Sequence, residues 1–244
     1  MTRRTVLIPF VLVCVSVLVS CSDKSAQPEA DLMLMYQESE PGMDPYMTRV
    51  LVNKQYMRLD EGADQSNFTL YDRQKNIIYT VSHENRTVMQ VTPVKSDNKI
   101  DRKLSLDARR LEDSSLPTIE GEQPVHYQLQ VNEKSCADVY VIKGLHEEAV
   151  LAMTEFKRVL ASIHLVNINN TPADMQDDCF IAHHVLSPSR SMQFGFPILE
   201  QSADGVSRLL VDFNRDHKTA PGVYELPQDY RMINMAGNPV DIES

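Results

Sequence analysis

Between Met47 and Thr92 the chain alternates short β-forming runs with turn sequences, a rhythm that leaves few folds open. The runs are Met47–Val52, Gln55–Asp60, Asn67–Asp72, Asn76–Val81 and Arg86–Val91, all rich in β-branched and aromatic residues. Between them lie Asn53-Lys54, Asp60-Glu-Gly-Ala-Asp64, Asp72-Arg-Gln-Lys-Asn76 and Ser82-His-Glu-Asn85, with the Asn, Asp, Gly and Ser content of tight turns. A parallel crossover needs about a dozen residues or more, so connections this short make an antiparallel meander. The period within the runs is two. Met57 and Leu59 share a face against Arg58 and Asp60, and Phe68 and Leu70 oppose Thr69 and Tyr71. One face is therefore apolar and needs a cover.

Leu145–Leu165 can supply it. Ala149, Ala152, Met153, Phe156, Val159, Leu160 and Ile163 recur at helical spacing, while Glu147, Glu148, Glu155, Lys157, Arg158 and Ser162 fall largely elsewhere. Two acids in the first turn and Lys157-Arg158 nearer the end suit the helix dipole. Val125, Tyr127, Leu129 and Val131 alternate with polar residues as a half-buried strand, which puts His126 on a solvated face. Cys136–Ile142 is apolar on both sides and reads as a central strand. Strands resume at Met192–Phe196, Ile198–Glu200 and Val206–Phe213, with Val223–Leu226 the last. The charged stretch Thr92–Pro117 is an excursion with one strand near Lys103–Leu106, and Asn167–Ser189 is a solvated loop.

The fold class expected is mainly β with one long helix: a curved antiparallel sheet or half-open β-barrel covered by that helix. Met57, Leu59, Phe68, Leu70, Tyr79 and Met89 are expected to face Phe156, Leu160 and Ile163 across the space between sheet and helix. If that space is hollow, these residues line a ligand site. Met33, Met35, Met57 and Met89 fall on candidate inward strand faces, and Met packs adaptably against more than one partner.

Residues 1–20 read as an export signal: basic Arg3-Arg4, then an apolar run from Val6 to Val19. That run is shorter than the roughly 20 residues a spanning helix needs. Leu18-Val19-Ser20-Cys21 resembles the lipobox of bacterial lipoproteins, in which the Cys receives a diacylglyceryl group and becomes the first residue. The resemblance implies lipidation at Cys21 and a flexible tether over 21–31. It also implies attachment to the periplasmic face of a membrane, while the strand pattern reads as one β-rich periplasmic domain over 32–230 and the C-terminal sequence as a loosely ordered tail over 231–244. Ser22 after the Cys favours the outer over the inner membrane. Without Cys14 and Cys21, the remaining pair of the four cysteines, Cys136 and Cys179, is expected to form a disulfide. A metal site of Cys179 with His183 and His184 matches no tetrahedral spacing template.

Without Arg3 and Arg4 the chain carries 22 basic against 34 acidic residues, which argues against a nucleic-acid partner. There is no Gly-x-Ser-x-Gly, no phosphate-cradling Gly-rich loop, no His-Glu-x-x-His and no Cys-x-x-Cys. No enzyme activity, cofactor or metal is therefore expected.

Tyr56-Met-Arg-Leu-Asp60, Phe68-Thr-Leu-Tyr-Asp-Arg73 and Ile77-Ile-Tyr-Thr-Val81 together resemble the opening sheet of the outer-membrane lipoprotein carrier and receptor family (LolA/LolB-like), and of related uncharacterised proteobacterial lipoproteins. The likeness spans residues 31–92 and rests on pattern. It implies a half-open antiparallel barrel closed by helices, whose hollow takes acyl chains. This chain departs from that family in having no Trp, a Cys pair, and a single long helix placed late. The expected function is that of a membrane-anchored envelope lipoprotein binding a lipid, or the acyl chain of another lipoprotein. The alternative is a non-enzymatic structural or assembly partner docking on another envelope protein.

Overall fold

The computed structural model describes residues 30–95, 100, 102–112 and 116–240. The expected signal sequence, Cys21 and most of the expected tether lie outside the described residues. Twelve strands form one sheet: β1 (Asp31–Ser39), β2 (Tyr46–Val52), β3 (Tyr56–Asp60), β4 (Phe68–Asp72), β5 (Ile77–Ser82), β6 (Thr87–Val91), β7 (Leu106–Leu111), β8 (Val125–Val131), β9 (Lys134–Ile142), β10 (Phe196–Ser202), β11 (Ser207–His217) and β12 (Arg231–Asn234). Helix α1 (Glu147–Asn169) and the single turn α2 (Asp178–Ile181) fall between β9 and β10. The spatial order is β12-β6-β5-β4-β3-β2-β1-β11-β10-β9-β8-β7. Two meanders thus meet where β1 pairs antiparallel with β11. The sheet is open, with β12 and β7 at its edges.

The expected meander is present as β2 to β6, in antiparallel register throughout. The sheet as a whole is mixed, not purely antiparallel, because β12 runs parallel to β6. Residues 231–234, expected in a loosening tail, form that strand. The chain reaches it by crossing the sheet from β11, so it arrives in the same direction as β6. Val223–Leu226 is turn and irregular chain within the crossing, not a strand. The excursion strand is Leu106–Leu111, three residues beyond its expected start. Met192–Phe196 is also corrected: Arg190–Phe194 is a 3-10 turn that ends at Gly195. There φ is 142° and an added Cβ would lie 2.6 Å from the Ile142 carbonyl oxygen, so only glycine lets the chain enter β10 this close to β9.

Both faces of the first meander are buried. Register assigns Leu32, Leu34, Val50, Val52, Met57, Leu59, Tyr71, Ile78 and Val91 to the inner face, where α1 packs with Ala149, Ala152, Met153, Val159 and Ile163. Arg73, in the turn after β4, fastens the helix through its ion pairs with Glu155 and Glu148. It also donates to the Asn53 carbonyl at 2.8 Å.

The outer face carries Phe68, Leu70, Tyr79, Val81 and Val88, covered by Tyr224, Leu226, Tyr230 and Met232 of the C-terminal strap. The strap is held by polar groups within that cover. Arg49 donates twice to Asp60, Nε and Nη2 each at 2.8 Å, and Arg58 Nε donates to the same carboxylate at 2.7 Å. Arg58 is 1% exposed, lies 3.8 Å over the Phe68 ring and donates to the Val223 carbonyl of the strap. Asp31 accepts from Thr219 and from Tyr224 Oη, and Tyr224 stacks on Tyr56 with centroids 5.4 Å apart. Burial raises the pKa of Asp60, but hydrogen bonds from Arg49, Arg58 and the Gly62 N–H outweigh it and hold the carboxyl below its ordinary value.

His126, expected on a solvated face, is buried. It stacks on Tyr140 at 4.2 Å and its Nε2 lies 2.8 Å from Asp138 Oδ1.

Removing one member of a buried ion pair costs roughly 3–5 kcal/mol, because the partner charge stays buried. Asp60→Asn leaves both Arg49 and Arg58 facing a neutral amide. Urea unfolding should show a loss of that order, and limited proteolysis should cut the strap after His217 before the rest of the chain. A strap still resistant in Asp60→Asn would mean that its apolar contacts alone hold it.

Candidate functional site

α1 fills only part of the inner face. Beside it lies a partly open pocket of about 180 Å³ with Val50, Met57 and Leu59 of the sheet on one side and Met153, Phe156 and Leu160 of α1 on the other. It adjoins a wider cavity of about 850 Å³ that opens between β9, β10, β11 and the segment following α1.

The helix contributes to this site by simple periodicity. Met153, Phe156, Leu160 and His164 line the pocket and follow one another at spacings of three and four, and Lys157, four residues after Met153, lines it beside them. Lys157 therefore belongs to the pocket-lining stripe and is partly buried, although its charge reads as solvated. Of the residues expected to line a hollow, Met57, Leu59, Phe156 and Leu160 come together here. Ile163 is buried in the adjoining core, and Met89 packs against the same core. Phe68, Leu70 and Tyr79 are corrected to the outer face under the strap. Pairing sets Leu59 opposite Thr69, so Phe68 and Leu70 emerge beside Asp60 and Arg58, away from the helix.

The segment after α1 is a chain of single turns: 3-10 at Ala173–Met175, then α2, then π-helical Ala182–Leu186 and 3-10 Arg190–Phe194. Cys179 of α2 is bridged to Cys136 of β9 with a Cα separation of 5.4 Å. Arg102 donates to Asp178 at 2.6 Å, and Asn132 to the same carboxylate at 3.1 Å. Fixed in this way, the segment carries His183, His184, Pro188, Arg190 and Ser191 to the cavity walls. A π-helical turn frequently marks a functional place in a helix, because the extra residue re-aims its side chains. Here it carries the His183-His184 pair. His164 and His184 have ring centroids 5.7 Å apart, with Phe180 against both. Cys179 is taken up by the disulfide, and among the described residues no group of three or more His, Cys, Asp or Glu is arranged to hold a metal.

At the junction of pocket and cavity sit residues that sequence reasoning missed: Arg208, Glu200 and Glu38. Arg208 of β11 pairs across to Glu38 on one neighbouring strand and to Glu200 on the other. Its guanidinium lies 3.9 Å over the Tyr36 ring. Glu200 accepts from Ser191 Oγ at 2.6 Å and stands 3.8 Å from Lys157 Nζ. Burial pushes the Glu200 carboxyl up, but Lys157, Ser191 and Arg208 bring it below the ordinary value. Glu200 and Arg208 face each other across one hairpin, but Glu38 lies far from both in sequence, and only the register of β11 against β1 brings it to them.

Burial holds His183 down to about 4, with Arg190, His184 and Lys157 adding repulsion. His146, wedged between Phe196 and Phe213, is also held at about 4, by burial and then by Arg215, with Glu120 opposing. Both imidazoles stay neutral in the folded protein to about pH 4, whereas the unfolded chain takes up their protons from the ordinary value of 6.5. Their contribution to stability is complete above pH 6.5 and is lost as the pH falls to about 4. Glu38, whose carboxyl burial raises, acts in the opposite direction, and Asp60 loses its charge only at lower pH. The melting temperature should drop across that window, and the His146→Gln, His183→Gln double variant should flatten the drop. An unchanged slope would assign the proton uptake to other groups.

Alkylation of the denatured, unreduced protein should leave Cys136 and Cys179 unmodified. For a 43-residue separation, opening the bridge by Cys136→Ala with Cys179→Ala should cost at most roughly 4 kcal/mol in chain entropy. Two modified thiols would overturn the assignment.

No protein-family model matches this chain, and no curated protein matches it. Among solved structures it is similar to an uncharacterised conserved protein from Thermus thermophilus, at 10% identity and TM-score 0.42, over 85% of this chain and 91% of that one. It is also similar to PNGF-II in two crystal forms, at 10% and 8% identity and TM-scores of 0.39 and 0.38. The match covers 84% and 85% of this chain but only 31% and 32% of PNGF-II, so this chain spans about a third of that protein.

Proposed function

We propose that this protein is a lipid-anchored lipoprotein of the bacterial envelope that binds an apolar ligand, a lipid or the acyl chain of another lipoprotein, between its sheet and α1. The sheet acts as a half-open barrel with α1 as a partial plug. The observation that carries this reading is the apolar pocket beside the helix. Leu59, Phe156 and Leu160 line it while only partly buried, where a filled core would have buried them fully. Complete sites for drug-sized ligands run to roughly 300–1,000 Å³. A pocket of about 180 Å³ suits one acyl segment, not a paired-chain lipid. Among the described residues no helix is long and apolar enough to cross a membrane. Attachment through an acylated Cys21 is supported by the lipobox-like Leu18-Val19-Ser20-Cys21.

A second reading has its own support. Met175, Phe180 and Leu186 are 72%, 38% and 45% exposed on the disulfide-tied segment, and Val206 is exposed on the cavity rim. Apolar side chains grouped in this way fit docking on another envelope protein.

Leu160→Ala separates the two. A packed leucine truncated to alanine costs about 2–5 kcal/mol. Beside a hollow, the cost should fall well below that range while ligand uptake weakens. The full-length protein in detergent, irradiated with a fatty acid carrying a diazirine in its tail, should be labelled saturably on the α1 peptide that contains Leu160. Leu160→Trp, which fills the pocket, should abolish that labelling. Absence of saturable labelling, together with a full-sized stability loss in Leu160→Ala, would leave the docking reading ahead.

A further inference from the structure

The two edges of the sheet are finished differently. Beyond β12 the backbone turns back on itself. Asn234 N–H donates to the Asn238 carbonyl at 2.8 Å, Val240 N–H donates to the Met232 carbonyl at 3.1 Å, and Ile233 bridges to Pro239. At the other end β7 pairs only with β8 among the described residues. Its residues from Leu106 to Arg110 are all exposed, Leu106 to 37%. An edge strand whose outer N–H and C=O groups meet only water is a template for another strand.

Which groups of β7 point outward follows from its register. Pairing with β8 runs without a shift from Leu106 opposite Val131 to Leu111 opposite His126. One residue before that ladder, Asn132 N–H donates to the Ser105 carbonyl at 2.9 Å and Ser105 N–H donates to Asn132 Oδ1 at 3.0 Å. Ser105 therefore turns its backbone groups toward β8, and by alternation so do Asp107, Arg109 and Leu111. Leu106, Ala108 and Arg110 turn theirs to the free edge. An incoming antiparallel strand must set its own outward residues opposite these. For a second copy of β7, that condition leaves only registers centred on a single residue.

Charge chooses among those registers. Centring on Asp107, Arg109 or Arg110 sets a charge opposite its own copy, and centring on either leucine runs most of each strand off the end of the other. Centring on Ala108 sets Asp107 opposite the second copy's Arg109, and Arg109 opposite its Asp107, with two alanines meeting on the axis. Opposite charges directly across an antiparallel pair attract, and like charges repel. Asp107 Oδ2 accepts from Ser105 Oγ at 2.8 Å, which leaves Oδ1 for the guanidinium. On the other face Leu106 comes against the aliphatic stem of the second copy's Arg110. Charged residues on an edge usually keep strands apart. In this order they repel slipped registers and favour one.

We propose that β7 is a self-pairing edge, at which two copies of this chain join antiparallel around a twofold axis at Ala108 and continue one sheet into the other. The contact is isologous, so a single strand supplies both halves of it and the assembly closes as a dimer. The proposal uses no residue of the ligand pocket, nor the exposed Met175, Phe180 and Leu186, and stands whichever of those readings holds.

The full-length protein in mild detergent, sedimented across a concentration series, should show a monomer–dimer equilibrium. Asp107→Arg turns both ion pairs into repulsions and should raise the dissociation constant about tenfold or more, and the exchange Asp107→Arg with Arg109→Asp should restore it. Ala108→Pro removes an outward N–H that β8 does not use, so the chain should keep its far-UV spectrum and lose the dimer. Oxidation reads the register, with the unaltered protein treated in parallel. Ala108→Cys should cross-link to itself, because residues facing each other in a hydrogen-bonded pair lie about 5.5 Å apart, within disulfide reach. A mixture of Asp107→Cys and Arg109→Cys should give the mixed cross-link in preference to either like pair. If a charge variant does not fold, the Ala108→Cys cross-link decides. A monomer at every concentration, with no cross-link in Ala108→Cys, would overturn the proposal and leave the edge to a strand of another protein. A dimer untouched by Ala108→Pro and Asp107→Arg would overturn it by placing the contact elsewhere.

Discussion

The pairing of β1 with β11 is the constraint on which the rest of the structure depends. It joins residues 31–39 to 207–217 and turns two separate meanders into a single sheet. It is also the most expensive pairing to form, because it closes nearly the whole described chain before its contacts repay the ordering. Its register places Arg208 opposite Glu38 and, through β10, opposite Glu200. It carries the chain out of β11 toward the far side of the sheet, where the strap begins. A slip of one residue would turn Leu34 and Tyr36 away from α1 and disrupt the core beside the pocket at the same time.

The first meander is unusual in being covered twice. α1 covers one face and the strap the other, so the same strands bury Met57 and Tyr71 on one side and Arg58 and Phe68 on the other. The two covers use different physics. The helix interface is apolar, fastened at its edge by Arg73. Beneath the strap lies a buried ion network around Asp60, whose desolvation offsets much of its Coulomb gain. Such a network adds less to stability than a hydrocarbon core of equal volume would. Its effect is on position: Arg58 reaches a backbone carbonyl of the strap, which only one alignment of the strap permits.

The incomplete seating of α1 links the fold to function. The helix buries Ala149, Ala152 and Val159 closely against the sheet, while Phe156 and Leu160 face open space. The disulfide between β9 and α2 holds the outer wall of that space, and it compensates for the thin hydrophobic content of the single-turn segments it anchors.

Strand and helix types were legible in the sequence because they follow from local chemistry. Turn residues, period-two alternation and the three-four spacing of α1 act over a few residues, and they placed β2 to β6, β8, β9 and the helix. The cysteine pair was legible by elimination. What was not legible depended on contacts between distant segments. Phe68 and Leu70 have the alternation of inward residues, and only the strand register, with the strap available to cover them, sends them outward. The strap and β12 carry little local signal, since a short strand ending a chain is held by its partner and not by its own propensity. Lys157 reads as solvated until the fold brings Glu200 to it, and Arg208 is one charged residue among many until pairing sets it between two acids beside a pocket. Local chemistry alone thus settles which elements form and which of their residues are apolar. Which face each residue serves, and where the cavity lies, are settled only on folding, because both depend on pairings between segments that no local pattern encodes.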